Sequence, residues 1–411
     1  MAGEIRRINS SSPGVSRGKR SETKKAAGRD KVPEDTVSTG GFSSSLEKIP
    51  GWQQKYFSSG NKVTALADGQ VTPDNKKDDI FEQIEKSIKG AKRSIQVEMF
   101  SLDKKNLVDL LIKEQKKGVK VQVIMDPAND GWEKDKQKAI DRLKKNGVEV
   151  NIYPVKEAGD PQAKYGQINH VKMMIIDGDE AIIGGMNWGG HSPLNHDFDV
   201  KVEGPAVDQM EWLFRKDWIK SGGDKSNLPY IEKTRPHPEA NSMVNLITTG
   251  IEAKDQTIGK VVRRAIDNAR KSVHTELFTL TDKQTVQSLI DAHKRGVDVK
   301  VILNPMQING KAINERAANQ LKEAGVPVRW YVCNRSTREK LHAKIGIFDD
   351  DQVIVSSANW TYAGFNINRE AGVEVLSKDV NSKFNDIFKD DWENKTAAEP
   401  AYLEDDKNPG G

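Results

Sequence analysis

Short, almost uninterrupted apolar runs alternate with amphipathic stretches through most of this chain. The first half contains three such runs, Arg93–Leu102, Gly118–Pro127 and Asn146–Pro154. Their length and their flanking Gly and Pro residues predict buried strands, while apolar residues three or four positions apart between them predict helices with one buried face. Regular alternation of helix and strand predicts an α/β/α sandwich with a mixed sheet.

The second half repeats this pattern 178 positions further along the chain. Glu98 and Glu276 occupy the same place in two matching strands, where we expect them either to line a site or to form a salt bridge at the strand end. The chain is therefore an internal duplication, and each half is predicted to form one module. The matched runs are Arg93–Leu102 with Lys271–Leu280, Gly118–Pro127 with Gly296–Pro305, and Asn146–Pro154 with Ala324–Val332.

One stretch in each half combines two apolar runs with side chains that can take part in catalysis, namely His, Lys, Asp and Asn. Residues 169–188 read NHVKMMIIDGDEAIIGGMNW and residues 341–360 read LHAKIGIFDDDQVIVSSANW. Each predicts a hairpin of two strands. In both, a histidine is followed by a lysine two positions later, an aspartate seven positions later and an asparagine 17 positions later. One such spacing is a weak signal, but two copies in equal detail are a strong one. The residues are His170, Lys172, Asp177 and Asn187, and His342, Lys344, Asp349 and Asn359.

Two histidines from a duplicated module suit a double displacement at phosphorus, with both imidazoles at a pseudo-twofold seam. One imidazole would attack a phosphodiester and form a phosphohistidine. The other would protonate the leaving group and then activate the incoming water or alcohol. The two lysines and two asparagines would hold the nonbridging oxygens, a task that a metal ion performs elsewhere. Since no carboxylate cluster with metal-ligand spacing accompanies the histidines, the sequence predicts a metal-independent site without a cofactor.

Two acidic residues follow the hairpins at similar distances. Asp197 lies 27 positions after His170, and Glu370 lies 28 positions after His342. We expect each carboxylate to bond the far nitrogen of a histidine, which would fix its tautomer and orientation. Ser357 is a further candidate to hold phosphate. The histidines predicted to have no catalytic role are His191, His196, His237, His274 and His293, and the tryptophans predicted to pack in the core are Trp188, Trp218, Trp360 and Trp392.

The paired H-x-K-x4-D motifs resemble those of the phospholipase D superfamily, and the resemblance covers nearly all of residues 60–395. The first hairpin, with the later run VEGPAV and a helix ending in Asp-Trp, is similar to the first motif of phospholipases D and bacterial cardiolipin synthases. The resemblance implies that His170 is the nucleophile and His342 the general acid, and that Asp177 and Asp349 are structural. Ser356-Ser357 stands where that family often has Gly-Ser, and Gly184-Gly185 is its equivalent in the first half.

Composition and charge narrow the choice of partners. The net charge of +4 resides in residues 1–46, which carry nine basic and five acidic residues, so the rest of the chain is neutral overall. Proteins that bind long nucleic acid usually carry an excess of positive charge, which residues 47–411 as a whole do not have. No apolar run approaches the roughly 18 residues that span a bilayer, and no signal-peptide core is visible. With the single cysteine, Cys333, this predicts a cytoplasmic location, although export without a signal stays open.

The predicted organisation is a disordered basic tail (1–46), a first module (47–219), a linker (220–242), a second module (243–398) and a loose tail (399–411). The predicted function is that of a monomeric phospholipase D-type phosphodiesterase acting on glycerophospholipids at a membrane surface, by hydrolysis or by transfer to an alcohol. A nuclease on the same frame is the alternative, and it would require a continuous basic groove beside the histidines. A non-catalytic scaffold is disfavoured because both modules keep His, Lys and Asn.

Overall fold

A single mixed sheet of 15 strands runs through both halves of the chain in the computed structural model. The structure describes residues 54, 56–68, 79–127, 133–230, 232–308, 311–333, 339–401 and 403–404. The predicted basic tail, residues 1–46, therefore lies outside the described residues. Among the described residues, no helix has both the length and the apolar character needed to cross a membrane.

The first half forms the elements that its hydrophobic pattern predicts. Helix α1 is an example, because Ile80, Ile84 and Ile88 are buried along one face and Asp79 caps the first turn by accepting from the Glu82 N–H at 2.9 Å. The elements are β1 (Ser58–Ala67), α1 (Ile80–Gly90), β2 (Ser94–Met99), α2 (Lys105–Lys116), β3 (Lys120–Met125), α3 (Glu133–Lys145), β4 (Glu149–Ile152), β5 (Ala158–Asp160), β6 (Ala163–Tyr165), β7 (Lys172–Ile176), β8 (Glu180–Gly184), β9 (Phe198–Glu203) and α4 (Val207–Lys220).

The second half repeats the order of elements after the predicted linker. The last residue of that linker, Ser242, is the first residue of a strand. The predicted C-terminal tail also contributes a short strand, Leu403–Glu404, which pairs in parallel with the strand Met306–Ile308. The elements are β10 (Ser242–Thr249), α5 (Ile258–Asn268), β11 (Ser272–Leu277), α6 (Lys283–Lys294), β12 (Asp298–Leu303), β13 (Met306–Ile308), β14 (Lys311–Ala312), α7 (Glu315–Glu323), β15 (Val328–Tyr331), β16 (Lys344–Phe348), β17 (Gln352–Ser356), α8 (Tyr362–Asn366), β18 (Glu370–Leu376), α9 (Lys378–Asn394), β19 (Thr396–Ala397) and β20 (Leu403–Glu404).

The strand order is nearly mirrored about the centre of the sheet. It reads β4-β3-β2-β7-β8-β9-β1-β10-β18-β17-β16-β11-β12-β15-β19. Strands β2, β3 and β4 are parallel, as are β11, β12 and β15, whereas both motif hairpins are antiparallel. The antiparallel pair β1 and β10 joins the two half-sheets. The sequence pattern did not predict these two strands.

Helices cover both faces of this sheet, as the α/β/α prediction requires. Along β7, Met174 and Ile176 belong to a core with helices α1–α3, while Met173 and Ile175 belong to a core that α4 contributes to. A separate core beneath α5–α7 serves the second half. The core of Met173 also contains residues of α9, so it draws on both halves and ties the modules together.

Candidate functional site

The two motif histidines lie at the seam between the modules, each two residues before a strand. The His170 backbone N–H donates to the Arg369 carbonyl at 2.7 Å, and the His342 backbone N–H donates to the His196 carbonyl at 2.8 Å. Each histidine segment is thus hydrogen-bonded to the opposite half of the chain, at the residue directly before the predicted acidic partner. The motifs of the two modules therefore form one site.

The acidic partners are exchanged between the modules. His170 Nδ1 lies 2.9 Å from Glu370 Oε2, and His342 Nδ1 lies 2.5 Å from Asp197 Oδ2. All four side chains are buried. The predicted bond to the far nitrogen is present in both cases, but each carboxylate reaches the histidine of the other half. We call these two pairs the crossed dyads.

The crossed dyads fix the tautomer of each imidazole. Burial opposes ionisation of Glu370 and Asp197, yet the neighbouring histidine and lysine hold the pKa of each carboxyl below its usual range. Both groups are therefore carboxylates that accept a hydrogen bond from Nδ1–H, so the proton of each neutral ring lies on Nδ1 and not on Nε2. Burial, together with the nearby lysines, lowers the pKa of His170 to about 4 and that of His342 to about 3. Both rings are neutral at pH 7, as a nitrogen nucleophile must be.

The motif lysines lie beside the imidazoles. Lys172 Nζ donates to the His170 carbonyl at 2.8 Å, and Lys344 Nζ donates to the His342 carbonyl. Burial lowers the pKa of Lys172 well below its usual range and that of Lys344 to about 8, while Glu370 and Asp197 oppose this effect. The site thus concentrates buried cationic groups that a phosphodiester anion would neutralise.

Two phenylalanines that the sequence analysis did not select form the walls beside the histidines. Phe100 lies 5.0 Å from the His170 ring centre, and Phe278 lies 5.0 Å from the His342 ring centre. Their rings also face the lysines, with Lys172 Nζ 5.0 Å from the Phe100 centroid and Lys344 Nζ 5.3 Å from that of Phe278. The sequence did contain a signal for these two phenylalanines, because each lies two residues after one of the matched glutamates, Glu98 and Glu276.

The predicted phosphate-binding residues have different surroundings. The side-chain amides of Asn187 and Asn359 form no hydrogen bond within the described part of the chain, and the amide oxygen of each is buried. Ser357 instead donates its hydroxyl to Glu370 Oε2 at 2.6 Å and accepts from the Ala371 N–H. The two amides are therefore available to a ligand, whereas Ser357 supports a dyad. Its role toward phosphate stays a prediction.

The motif aspartates lie at the opposite ends of their strands from the histidines. Asp177 and Asp349 adopt positive φ angles of 54° and 50° in the hairpin turns. Asp177 accepts from the Lys92, Arg93 and Ser94 N–H groups, and Asp349 has the equivalent bonds to residues 270–272. These contacts tie each turn to the start of a neighbouring strand, which is a structural arrangement.

The matched glutamates lie in buried ionic clusters behind the dyads. Glu98 accepts from the Asn169 amide at 3.0 Å and lies near the Arg369–Asp217 ion pair, whose N–O distance is 2.6 Å. Glu276 lies 3.5 Å from His196 Nε2. His196 and Arg369 were not identified as site residues from the sequence. Each of them directly precedes an acidic residue of a dyad, and this shared position could have identified them from the sequence.

One of these clusters contains side chains of the kinds that bind metal ions. The ligand atoms of His196, Glu276 and Asp391 lie within 4.8 Å of one another, and all three residues are buried. Lys395 lies 2.9 Å from Asp391 Oδ1 and already supplies a positive charge there. The cluster is therefore better suited to a proton than to a divalent cation.

The duplicated sheet and the crossed dyads define a two-module protein in which one candidate site, with two histidines and two lysines, is assembled from both halves. The chain matches the family model described as "Cardiolipin synthase, PLD-like domain" over residues 84–218 and again over residues 262–392. The chain therefore belongs to this family, within the phospholipase D superfamily, and both halves carry the domain.

Individual relatives agree with this placement. Cardiolipin synthase 1 of Staphylococcus aureus (strain MRSA252) is 27% identical over 351 residues, which are 80% of this chain and 67% of that protein. Cardiolipin synthase 2 of Bacillus anthracis is 28% identical over 333 residues, 77% of this chain and 63% of that protein. The chain thus spans about two thirds of these relatives. The crystal structure of phosphatidylserine synthase from Haemophilus influenzae Rd KW20 has the same fold, with a TM-score of 0.59 at 14% identity over 83% of this chain and 88% of that one.

Proposed function

We propose that this protein transfers a phosphatidyl group from a glycerophospholipid to an acceptor alcohol through a phosphohistidine. The crossed dyads carry this proposal. They place two neutral imidazoles, one from each half, in a buried site with two lysines and two unbonded asparagine amides. Double displacement at a phosphodiester requires such a set of groups: a nucleophile, an acid–base group and donors for the phosphate oxygens.

The first half-reaction breaks the bond between phosphorus and the head-group oxygen. His170 Nε2 attacks phosphorus and forms the N–P bond, while a proton on His342 Nε2 passes to the departing alkoxide. His342 must therefore gain a proton when substrate binds, and the negative charge of the phosphodiester favours this by raising its pKa. The assignment of nucleophile and acid follows the family resemblance.

The second half-reaction restores the enzyme. Neutral His342 takes a proton from the acceptor hydroxyl, whose oxygen bonds to phosphorus as the N–P bond breaks. The lysine cations and the asparagine N–H groups would hold the nonbridging oxygens in both steps. Glu370 and Asp197 would stabilise each imidazolium that forms, because each accepts from Nδ1.

The relatives favour transfer over hydrolysis, because those named here are cardiolipin synthases. Cardiolipin contains two phosphatidyl groups on one glycerol, so an enzyme of this kind would use the glycerol hydroxyl of a second phosphatidylglycerol as the acceptor. Water would compete for the same position and would yield phosphatidic acid.

A mass-spectrometric assay with chelator present tests the proposal. The purified protein is offered vesicles of phosphatidylglycerol and, separately, phosphatidylethanolamine vesicles with added glycerol, with His170→Ala as the control. We expect cardiolipin or phosphatidylglycerol to form with the wild type alone. Phosphatidic acid alone would indicate a hydrolase. Intact lipid, together with cleavage of single- or double-stranded DNA in a parallel arm, would replace the proposal with a nuclease.

A further inference from the structure

The ring of His196 is surrounded by hydrogen-bond acceptors. Its Nδ1 lies 2.6 Å from the Asp68 carbonyl oxygen, and its Nε2 lies 2.7 Å from Asp391 Oδ2. A neutral imidazole has one donor and one acceptor nitrogen, so it could satisfy only one of these two contacts. Although burial opposes its ionisation, His196 and Lys395 hold the pKa of Asp391 below its usual range, so Asp391 is an acceptor. Both contacts are then satisfied only when the ring carries two protons and a positive charge.

The opposite half has an arginine at the equivalent place. Arg369 precedes Glu370 as His196 precedes Asp197. Its guanidinium donates to Asp217 Oδ2 at 2.6 and 2.8 Å and to the Thr249 carbonyl at 3.4 Å. His196 therefore reproduces both kinds of contact of Arg369, one with a carboxylate on the last helix of the opposite module and one with a carbonyl at the end of a central strand.

The backbone around the two cations is equivalent as well. His196 receives the His342 N–H on its carbonyl oxygen, and Arg369 receives the His170 N–H in the same way. The segment that carries each cation is therefore the segment that holds a motif histidine and, at the next residue, supplies its carboxylate. Anchoring the cation also anchors a crossed dyad.

We propose that His196 is a positioning residue that acts as a buried imidazolium, locking Asp197 against His342 as Arg369 locks Glu370 against His170. This inference rests on the proposed function for its effect on catalysis. The charge on His196, in contrast, can be tested without any substrate.

The charged groups around His196 favour the imidazolium. Asp391 on α9 and Glu276 on β11 face the ring from the second module, and Lys395 lies beyond Asp391. Although burial opposes the charge, these two carboxylates raise the pKa of His196 well above its usual range. The Tyr331 ring stacks on the imidazole at 5.4 Å with an interplanar angle of 7°, which further suits a cation.

Nuclear magnetic resonance of protein with ¹⁵N-labelled histidine tests the charge directly. His196→Gln identifies the His196 signal, and His293→Gln serves as the matched control on a helix of the second half. We expect both ring nitrogens of His196 to be protonated and their shifts to stay constant between pH 6 and pH 8, whereas an ordinary histidine titrates near pH 6.5. One unprotonated ring nitrogen at pH 7.5, or a shift that responds to added Zn²⁺, would overturn the inference.

Activity and the His342 signal test the positioning role. His196→Gln should lower kcat by about 10²-fold, the scale of a misplaced catalytic group, with little change in KM. It should also alter the His342 Nδ1–H resonance. His196→Arg should restore most of the lost turnover, while His293→Gln should behave as the wild type. If His196→Arg folds but is as impaired as His196→Gln, a cation is not what the site requires. If the wild type shows no lipid activity but His196 is doubly protonated, only the proposed function fails.

Discussion

The two crossed dyads have the same hydrogen bond between a histidine and a carboxylate, but the residues that hold the two carboxylates in place differ. Asp197 packs against Gly185, where an added Cβ would lie 2.2 Å from Asp197 Oδ1. In the other half, Ser357 occupies the place of Gly185 and donates to Glu370 Oε2 at 2.6 Å. Asn368 donates to the other Glu370 oxygen at 3.1 Å. The shorter carboxylate thus requires a bare glycine, while the longer one is held by additional donors.

The two halves therefore share an architecture but differ in the local contacts of their dyads. A duplicated module gives each histidine a carboxylate, yet each carboxylate is positioned by its own local contacts. One half can therefore be adapted to nucleophilic attack and the other to proton transfer without loss of the common frame. The largest expected differences between the halves concern these two tasks.

Removal of the two histidines should separate their tasks most strongly. We expect His170→Ala and His342→Ala each to lower turnover of natural phospholipids by roughly 10⁴–10⁶-fold, because each removes a group that takes part in bond making or proton transfer. The melting temperature should change little. With phosphatidyl-p-nitrophenol, whose leaving group needs no acid, His342→Ala should still release one equivalent of p-nitrophenol in a burst, whereas His170→Ala should release none. Equal losses on this substrate would show that the tasks are not divided.

Replacing each dyad carboxylate by its neutral amide should show which histidine that carboxylate serves. Asp197→Asn weakens the support of His342, and Glu370→Gln weakens that of His170, so each should lower kcat by roughly 10²–10⁴-fold. The nitrophenyl substrate should rescue Asp197→Asn much better than Glu370→Gln. The opposite pattern would mean that each carboxylate serves the histidine of its own half, or that the acid and nucleophile are exchanged.

Changes at the supports should have smaller effects. Gly185→Ala must displace Asp197 and should lower turnover by about 10²-fold. Ser357→Ala removes one hydrogen bond to Glu370, whose loss is worth about 1 kcal/mol, and should lower turnover by about fivefold. Gly90→Ala is the matched control, since nothing lies within 4 Å of its added Cβ. An unaffected Gly185→Ala variant would contradict the close approach of Asp197.

Acid should destabilise the protein through the motif histidines. The pKa values of His170 and His342, about 4 and about 3, lie below the unfolded value near 6.5. The unfolded chain therefore binds more protons in this range, so their contribution to stability is complete above pH 6.5 and is lost as the pH falls through these values. Calorimetry should show a steeper fall in Tm from pH 7 to 4.5 for the wild type than for the His170→Gln/His342→Gln variant. Parallel curves would contradict the lowered pKa values.

Hydrophobic periodicity and the duplication predicted most of this fold. Helix α1 and strand β7 follow from strong local patterns. Strands β1 and β10 were missed because their apolar residues are few or interrupted, and they become strands by pairing with each other and with β9 and β18. Tertiary pairing here outweighs local preference.

The candidate site was predictable in its parts but not in its connections. The spacing of His, Lys and Asn in both motifs indicates the residues, whereas the crossing depends on contacts between residues 145 and 200 positions apart. The sequence analysis assigned His196 no catalytic role because no histidine aligns with it in the second half, and a comparison of histidines alone does not show that its counterpart, Arg369, is also a basic residue. A comparison by charge would have found the pair.

The most direct test of the account is to trap the covalent intermediate. His342→Ala is mixed with phosphatidyl-p-nitrophenol, quenched in alkaline denaturant and mapped by mass spectrometry, with His170→Ala treated in parallel. Without His342 to activate the acceptor, a phosphatidyl group should accumulate on His170, and the parallel sample should carry none. An adduct on His342 in the His170→Ala sample would exchange the two roles. The absence of an adduct from both samples, despite turnover by the wild type, would contradict the phosphohistidine mechanism.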